Sequence, residues 1–241
     1  MRGKQLDQAT RPHVRFQQEG RLQHDAHAMQ CGNAQRLAVV DLQATRDGHA
    51  ADVVLVARQA PVRPGSVVLL LGTGGVSLFA LQFAKASGAT VILASSSDEK
   101  LERARRLGAD HLINYRATPA WDGEVLKLTG GRGADLVVET VGGATIVRSL
   151  NAAAVGGTVF TVGFVGGTAA SIDLLPVIVK ALRIVGNNTG CVADLAQAAQ
   201  AIAAHGIVPV IDRVFSIDDT AEAYAELAAG GRHFGKLAIA H

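Results

Sequence analysis

The stretch that most restricts how this chain can fold is Val67-Val68-Leu69-Leu70-Leu71, which runs directly into Gly72-Thr73-Gly74-Gly75-Val76-Ser77. Five consecutive apolar residues suit a strand buried on both faces, and such strands belong to parallel sheets covered by helices. Beyond the glycines, Val76, Phe79, Ala80, Phe83 and Ala84 recur at helical spacing until Gly88 ends the helix. A glycine-rich turn from buried strand to helix presents first-turn N–H groups to an anion, with no Cβ to hold it off.

The alternation continues. Val91-Ile92-Leu93-Ala94 reads as a second strand, and Ser96-x-x-Glu99 reads as a capping box opening a helix whose Leu101, Ala104 and Leu107 face the sheet. Further strands are expected at His111–Ile113, Leu136–Glu139, Thr158–Val162, Arg183–Val185 and Lys236–Ala240. Helices are expected near Ala120–Leu128, Ala144–Ala153, Leu174–Leu182, Ala193–Ala204 and Asp219–Ala229. Strands alternating with helices give an α/β fold, a doubly wound parallel Rossmann sheet, over residues 61–241.

Residues 1–60 differ in character. The first 50 carry eight of the twelve glutamines and four of the eight histidines with no sustained period, so an irregular or disordered segment is expected. Only Leu37–Val40 and Val53–Val56 could form short strands.

Bulk properties narrow the function classes. A formal charge of +2 with 4% aromatic residues supplies neither the basic stripe nor the stacking residues that a nucleic-acid surface needs. No run of 18 apolar residues is present and the first residues are polar, so a soluble, cytoplasmic protein with no membrane partner is expected. Cys31 and Cys191 lie far apart, which fits a reducing compartment.

Cofactor identity is read at the end of the second strand. NAD-binding versions of this fold place Asp or Glu there to accept hydrogen bonds from the ribose; this chain has Ser95-Ser96-Ser97. Serine hydroxyls, and the Lys100 ammonium one turn on, can donate to a 2′-phosphate that a carboxylate would repel, so NADPH is expected over NADH. Asp98 runs against this, since it could turn toward the ribose. Equally, Ser96 or Ser97 could serve as a helix cap and Lys100 as a solvated charge. Methyl transfer from S-adenosylmethionine uses a similar glycine-rich turn, but with an acidic residue where Ser95 stands.

With Gly72–Ala84, Ser95–Leu101, Leu107-Gly108-Ala109-Asp110-His111, Ile113-Asn114-Tyr115, Gly130–Asp135, Gly156-Gly157-Thr158, His205–Asp212 and His233-Phe234-Gly235-Lys236 in this order, the chain resembles the nucleotide-binding half of a medium-chain dehydrogenase/reductase. It is most similar to the zinc-type alcohol dehydrogenase-like proteins and quinone oxidoreductases, over about three quarters of its length. The resemblance implies pyrophosphate contacts at Gly74, Gly75 and Val76, and 2′-phosphate or ribose contacts at Ser95, Ser96, Lys100 and Tyr115. It also implies that Thr140, Val141, Val162, Gly163 and Phe164 bracket the nicotinamide. The implied activity is hydride transfer between NADPH and an alcohol or carbonyl, an enone or a quinone, with no general acid identified. A nucleotide-binding module without turnover is the alternative.

Members of that family begin with a GroES-like catalytic domain that is expected to be missing here. Gly48-His49 runs into Ala50 instead of Glu, and His24-x-x-His27 has no further ligands, so no zinc is expected. Read one nucleotide later, codons for Asp47–Ala51 can encode Thr-Ala-Thr-Leu-Pro or Met-Ala-Thr-Leu-Pro, similar to the Ala-Thr-Leu-Pro preceding this domain in the family; the expectation is that residues 1–60, if not simply irregular or disordered, are out-of-frame or mis-annotated translation. A nucleotide domain without its partner exposes an apolar face and leaves its last strand, Lys236–Ala240, open to pairing, so self-association or a homodimer is expected.

Overall fold

A computed structural model of the protein describes residues 37–40, 60–187 and 190–240. The segments carrying Val53–Val56, His24, His27 and Cys31 lie outside the described residues, as does the first of two compact units, Met1–Ala34.

Six parallel strands form the main sheet: β2 (Val67–Leu71), β3 (Thr90–Ser95), β4 (His111–Asn114), β5 (Ala134–Glu139), β6 (Ala153–Thr161) and β7 (Arg183–Gly186). Their spatial order is β4-β3-β2-β5-β6-β7, all neighbours parallel. The order reverses between β2 and β5, the crevice where open α/β sheets hold ligands beyond the strands' carboxyl ends. The doubly wound Rossmann sheet read from the sequence is therefore the fold.

Alternation along β2 explains its two-sided burial. Val68 and Leu70 join one core with Leu78 and Leu81 of α1 (Gly75–Ala86), Leu101 and Ala104 of α2 (Asp98–Arg106), and Ala198. Val67, Leu69 and Leu71 face the other way. They meet Trp121 and Val125 of α3 (Trp121–Leu128) and Ile146 and Leu150 of α4 (Ile146–Ala152). Each fully buried leucine contributes about 1.5–3 kcal/mol of transfer free energy, so helices on both faces hold the sheet and no strand face needs polar residues.

Two Gly-Ala-Asp sequences set the amino ends of these strands. The Asp110 carboxylate accepts the Val91 N–H at 2.7 Å, and the Asp135 carboxylate accepts the Val67 N–H at 2.7 Å. Each acid pins the start of the strand beside its own. Burial alone would raise the Asp110 carboxyl, but hydrogen bonds from Lys85 and Val91 outweigh it and hold the group below its ordinary value.

The chain then runs through α5 (Leu174–Val179), β7 and α6 (Val192–His205), which ends on Gly206 in a left-handed conformation at φ +62. It continues into β8 (Ile211–Ser216), a short 3-10 turn (Ile217–Asp219), α7 (Thr220–Ala229) and β9 (Lys236–Ala240). A second sheet has the order β1-β9-β8, where β1 is Leu37–Val40. The expected open last strand is corrected here: β9 is central, antiparallel to β1 and parallel to β8, with Leu237, Ala238 and Ile239 buried. Strand β1 belongs to the same compact unit as the main sheet. Among the described residues no helix is long and apolar enough to cross a membrane.

Candidate functional site

The site is built where β2 ends. Gly72 has φ +76, a conformation that favours glycine, and its N–H bonds the Ala94 carbonyl at 2.7 Å. Thr73 is buried, and Gly74 caps α1 in extended conformation without any side-chain hydrogen bond. The first turn of α1 contains no acidic residue. First-turn amides of a helix have no intrahelical acceptor, so Gly75 and Val76 offer N–H groups and the positive end of the α1 dipole at the switch point.

Ser77, which stands where the dinucleotide fingerprint has its third glycine, is accommodated by a bond the sequence does not announce. Its buried hydroxyl donates to the Leu71 carbonyl at 2.7 Å, and the Thr140 hydroxyl donates to the same carbonyl at 2.8 Å. The loop is thereby fastened to the end of its own strand and to the loop after β5.

At the end expected to meet the adenosine, Ser95 is buried as the last residue of β3, Ser96 is half-buried, and Tyr115 follows β4 with its side chain exposed. The expected Ser96-x-x-Glu99 capping box does not form: α2 opens at Asp98, and the N-cap is Ser97, whose hydroxyl accepts from the Lys100 N–H at 3.4 Å, with a lysine at the third helical position where a box needs an acceptor. Asp98 points to Asn114, whose side-chain amide donates to it at 2.7 Å. Lys100 donates its ammonium to the Gly231 carbonyl and, at 2.9 Å, to the His233 carbonyl. Burial lowers the Lys100 pKa, while the negative charge of Asp212 opposes that shift.

Beyond β5 and β6 the two loops expected around the nicotinamide lie against each other. A Cβ on Gly163 would fall 2.7 Å from the Thr140 Cα, so that position admits no side chain. The Gly166 N–H bonds the Val141 carbonyl at 2.7 Å and the Gly143 N–H bonds the Gly167 carbonyl at 2.8 Å. Val141 packs into one core and Val162 into the other, while Phe164 is 66% exposed.

Two residues here escaped the sequence reading. Glu139 is fully buried at the end of β5 and accepts from the N–H groups of Val141 (2.8 Å) and Gly142 (3.0 Å) and from the hydroxyls of Thr145 (2.8 Å) and Ser149 (2.5 Å). A lone acid ending an apolar strand run was the available signal. Lys236 is 7% exposed, and its ammonium lies 2.7 Å from the point a Gly75 Cβ would occupy. Gly75 is thus required for this approach, and a cation sits beside the positive end of α1. The sequence marks Lys236 only as part of His233-Phe234-Gly235-Lys236 and not as a neighbour of Gly75, because β9 is brought to the loop by long-range pairing.

The residues fit a dinucleotide: a helix end without a capping acid, open space where a Cβ would stand on Gly72 and Gly74, and serines in place of the ribose-binding acid. Among the described residues no group of three or more His, Cys, Asp and Glu side chains is placed to hold a metal ion. A cavity of about 450 Å³ lined by Arg63, Arg132, Asp135 and Arg183 lies at the opposite, amino-terminal edge of the sheet, away from this site.

Comparison with known proteins agrees with the geometry. Residues 75–204, more than half of the chain, match the family described as zinc-binding dehydrogenase. A zinc-type alcohol dehydrogenase-like protein of Schizosaccharomyces pombe is 42% identical over 186 residues, covering 76% of this chain and 54% of that protein. The crystal structure of a putative alcohol dehydrogenase from Sinorhizobium meliloti superposes with a TM-score of 0.76 at 39% identity, covering 80% of this chain and 56% of that one. A mycobacterial protein solved with NADPH superposes with a TM-score of 0.70 at 26% identity, covering 83% of this chain and 64% of that one. The chain spans about half the length of the curated relatives it matches. It belongs to the zinc-binding dehydrogenase family, and what it shares with its relatives is the nucleotide-binding part of a medium-chain dehydrogenase/reductase.

Proposed function

We propose that this chain binds NADPH along the carboxyl edge of the main sheet and serves a hydride transfer between that cofactor and a carbonyl, enone or quinone. The observation that carries the reading is the acid-free first turn of α1 at the switch point, with the Lys236 ammonium beside Gly75. NADPH supplies the hydride from C4 of its nicotinamide. The chain's own residues bind and orient: the Gly74–Val76 turn receives the pyrophosphate, and Ser95 and Ser96 lie at the adenosine ribose. The joined loops Thr140–Val141 and Val162–Phe164 bracket the nicotinamide. Preference for NADPH is supported by the absence of an acid at Ser95–Ser97 and by the engagement of Asp98 with Asn114. No zinc enters the proposal.

Fluorescence titration with NADPH and NADH, set beside cofactor oxidation with a panel of quinones and aldehydes, tests it. Tighter NADPH binding with turnover is the expected result. Binding without turnover would make the chain a nucleotide-holding module, and absence of binding would overturn the reading.

Self-association is proposed as well, on a different face from the last strand. Leu174, Leu175, Ile178 and Val179 of α5 are all more than 60% exposed, next to β7, which among the described residues pairs on one side only. Light scattering tests this, with a monodisperse monomer as the contrary outcome.

A further inference from the structure

We propose that Lys100 is a positioning residue: it clamps the segment Gly230–Lys236 onto the phosphate loop, and so acts on the pyrophosphate end of the site. The inference rests on the nucleotide-binding reading above and departs from it over what Lys100 does.

The segment follows α7 and turns through three glycines at positive φ, Gly230 (+64), Gly231 (+63) and Gly235 (+87). Those turns bring the carbonyls of Gly231 and His233 round to one ammonium, and two of the three Lys100 N–H groups are spent on them. One turn along α2, Arg103 makes the second hold. Its guanidinium stacks 4.2 Å over the ring of Phe234, which is 2% exposed, and pairs with Asp212 at 2.7 Å. Helix α2 therefore grips two successive stretches of the segment, by hydrogen bonds and then by a cation–π contact.

The far end of the same segment touches the phosphate loop. The Gly235 N–H donates to the Thr73 carbonyl at 2.9 Å, Gly235 bridges to Gly74 as a strand would, and the next residue is Lys236, whose side chain lies against Gly75. The path from Lys100 to the pyrophosphate end is thus six residues of backbone held at both ends. A 2′-phosphate could receive at most the one Lys100 N–H that remains.

The two roles differ in what they predict for NADH, which carries no 2′-phosphate. In the full chain, Lys100→Met is expected to speed amide hydrogen exchange in the peptide containing Gly230–Lys236 without added nucleotide. It is also expected to weaken NADPH and NADH by the same factor, about tenfold, leaving their ratio unchanged. Lys100→Arg, which can still donate to both carbonyls, should restore most of the NADH affinity. Loss of NADPH affinity alone, with NADH unaffected, would overturn the proposal in favour of a 2′-phosphate ligand. Unchanged exchange in the segment would also overturn it. If the wild-type chain binds neither nucleotide, the proposed function fails, and the exchange measurement still decides whether the clamp exists.

Discussion

The Lys236 ammonium, on the first residue of the last strand, lies beside Gly75, the first residue of helix α1, so closely that no side chain fits between them. This joins strand β9 to the loop proposed to receive the pyrophosphate. Gly75→Ala should therefore displace Lys236 and also hold the pyrophosphate away from the backbone. Because the displaced atoms are the end of a flexible side chain, stability should fall by only about 1 kcal/mol. NADPH affinity should fall about tenfold or more. Calorimetric melting and fluorescence titration of the same variant separate the two effects.

The second prediction concerns cofactor choice. Ser95→Asp places a carboxylate at the end of β3, where it repels a 2′-phosphate and can accept from ribose hydroxyls. The ratio of NADPH to NADH affinity should drop about tenfold. Measuring the ratio, rather than one affinity, guards against a general loss from burying a charge at a position that is 3% exposed. Unchanged relative affinities would count against the serine assignment.

Glu139 offers a stability test. Glu139→Ala leaves two backbone N–H groups and two hydroxyls without their common acceptor inside the protein. With each buried unsatisfied group costing about 1–3 kcal/mol, the variant should lose at least ~3 kcal/mol in urea unfolding. Glu139→Gln keeps the acceptor oxygen that takes the Val141 and Gly142 N–H groups and should lose much less. Equal losses for the two would show that this acceptor geometry does not matter.

Acid stability should depend on Asp122. Burial alone would raise this carboxyl, but hydrogen bonds from Asn151 and Arg148 outweigh it and hold the pKa below 3.8. A carboxyl depressed in the folded state contributes stability that is fully present above its unfolded pKa and is lost as pH falls through the folded value. The α3–α4 contact should therefore weaken below about pH 4. Asp122→Asn should be less stable than the parent at neutral pH and nearly equal to it at low pH. A constant difference across the range would contradict the assignment.

How far the fold could be read from the sequence depended on whether a signal was local. The runs at Val67–Leu71 and Val91–Ala94 are buried on both faces, so composition alone marked them, and β2 coincides with its expected range. Strand β8 was missed because Ile211–Ser216 carries Asp212 and Arg213 and buries only Phe215. It is held by its pairing with β9 and by Arg213 stacked over Phe215. Strand β6 begins at Ala153, five residues before its expected start, because Gly156 and Gly157 interrupt the pattern while the backbone continues through an irregular register against β5. The site divides in the same way. The glycine-rich turn after β2 was legible since strand, glycines and helix are contiguous. The partners of Lys100 and Gly75 were not, because both come from the Gly230–Lys236 segment far along the chain.

The central claim, that the carboxyl edge of this sheet holds NADPH, is tested most directly by isothermal titration of the full chain with NADPH and, separately, with NADH. The account predicts saturable binding of one NADPH per chain, tighter than NADH and weakened in Gly75→Ala. No measurable heat with either nucleotide, or tighter binding of NADH, would contradict it.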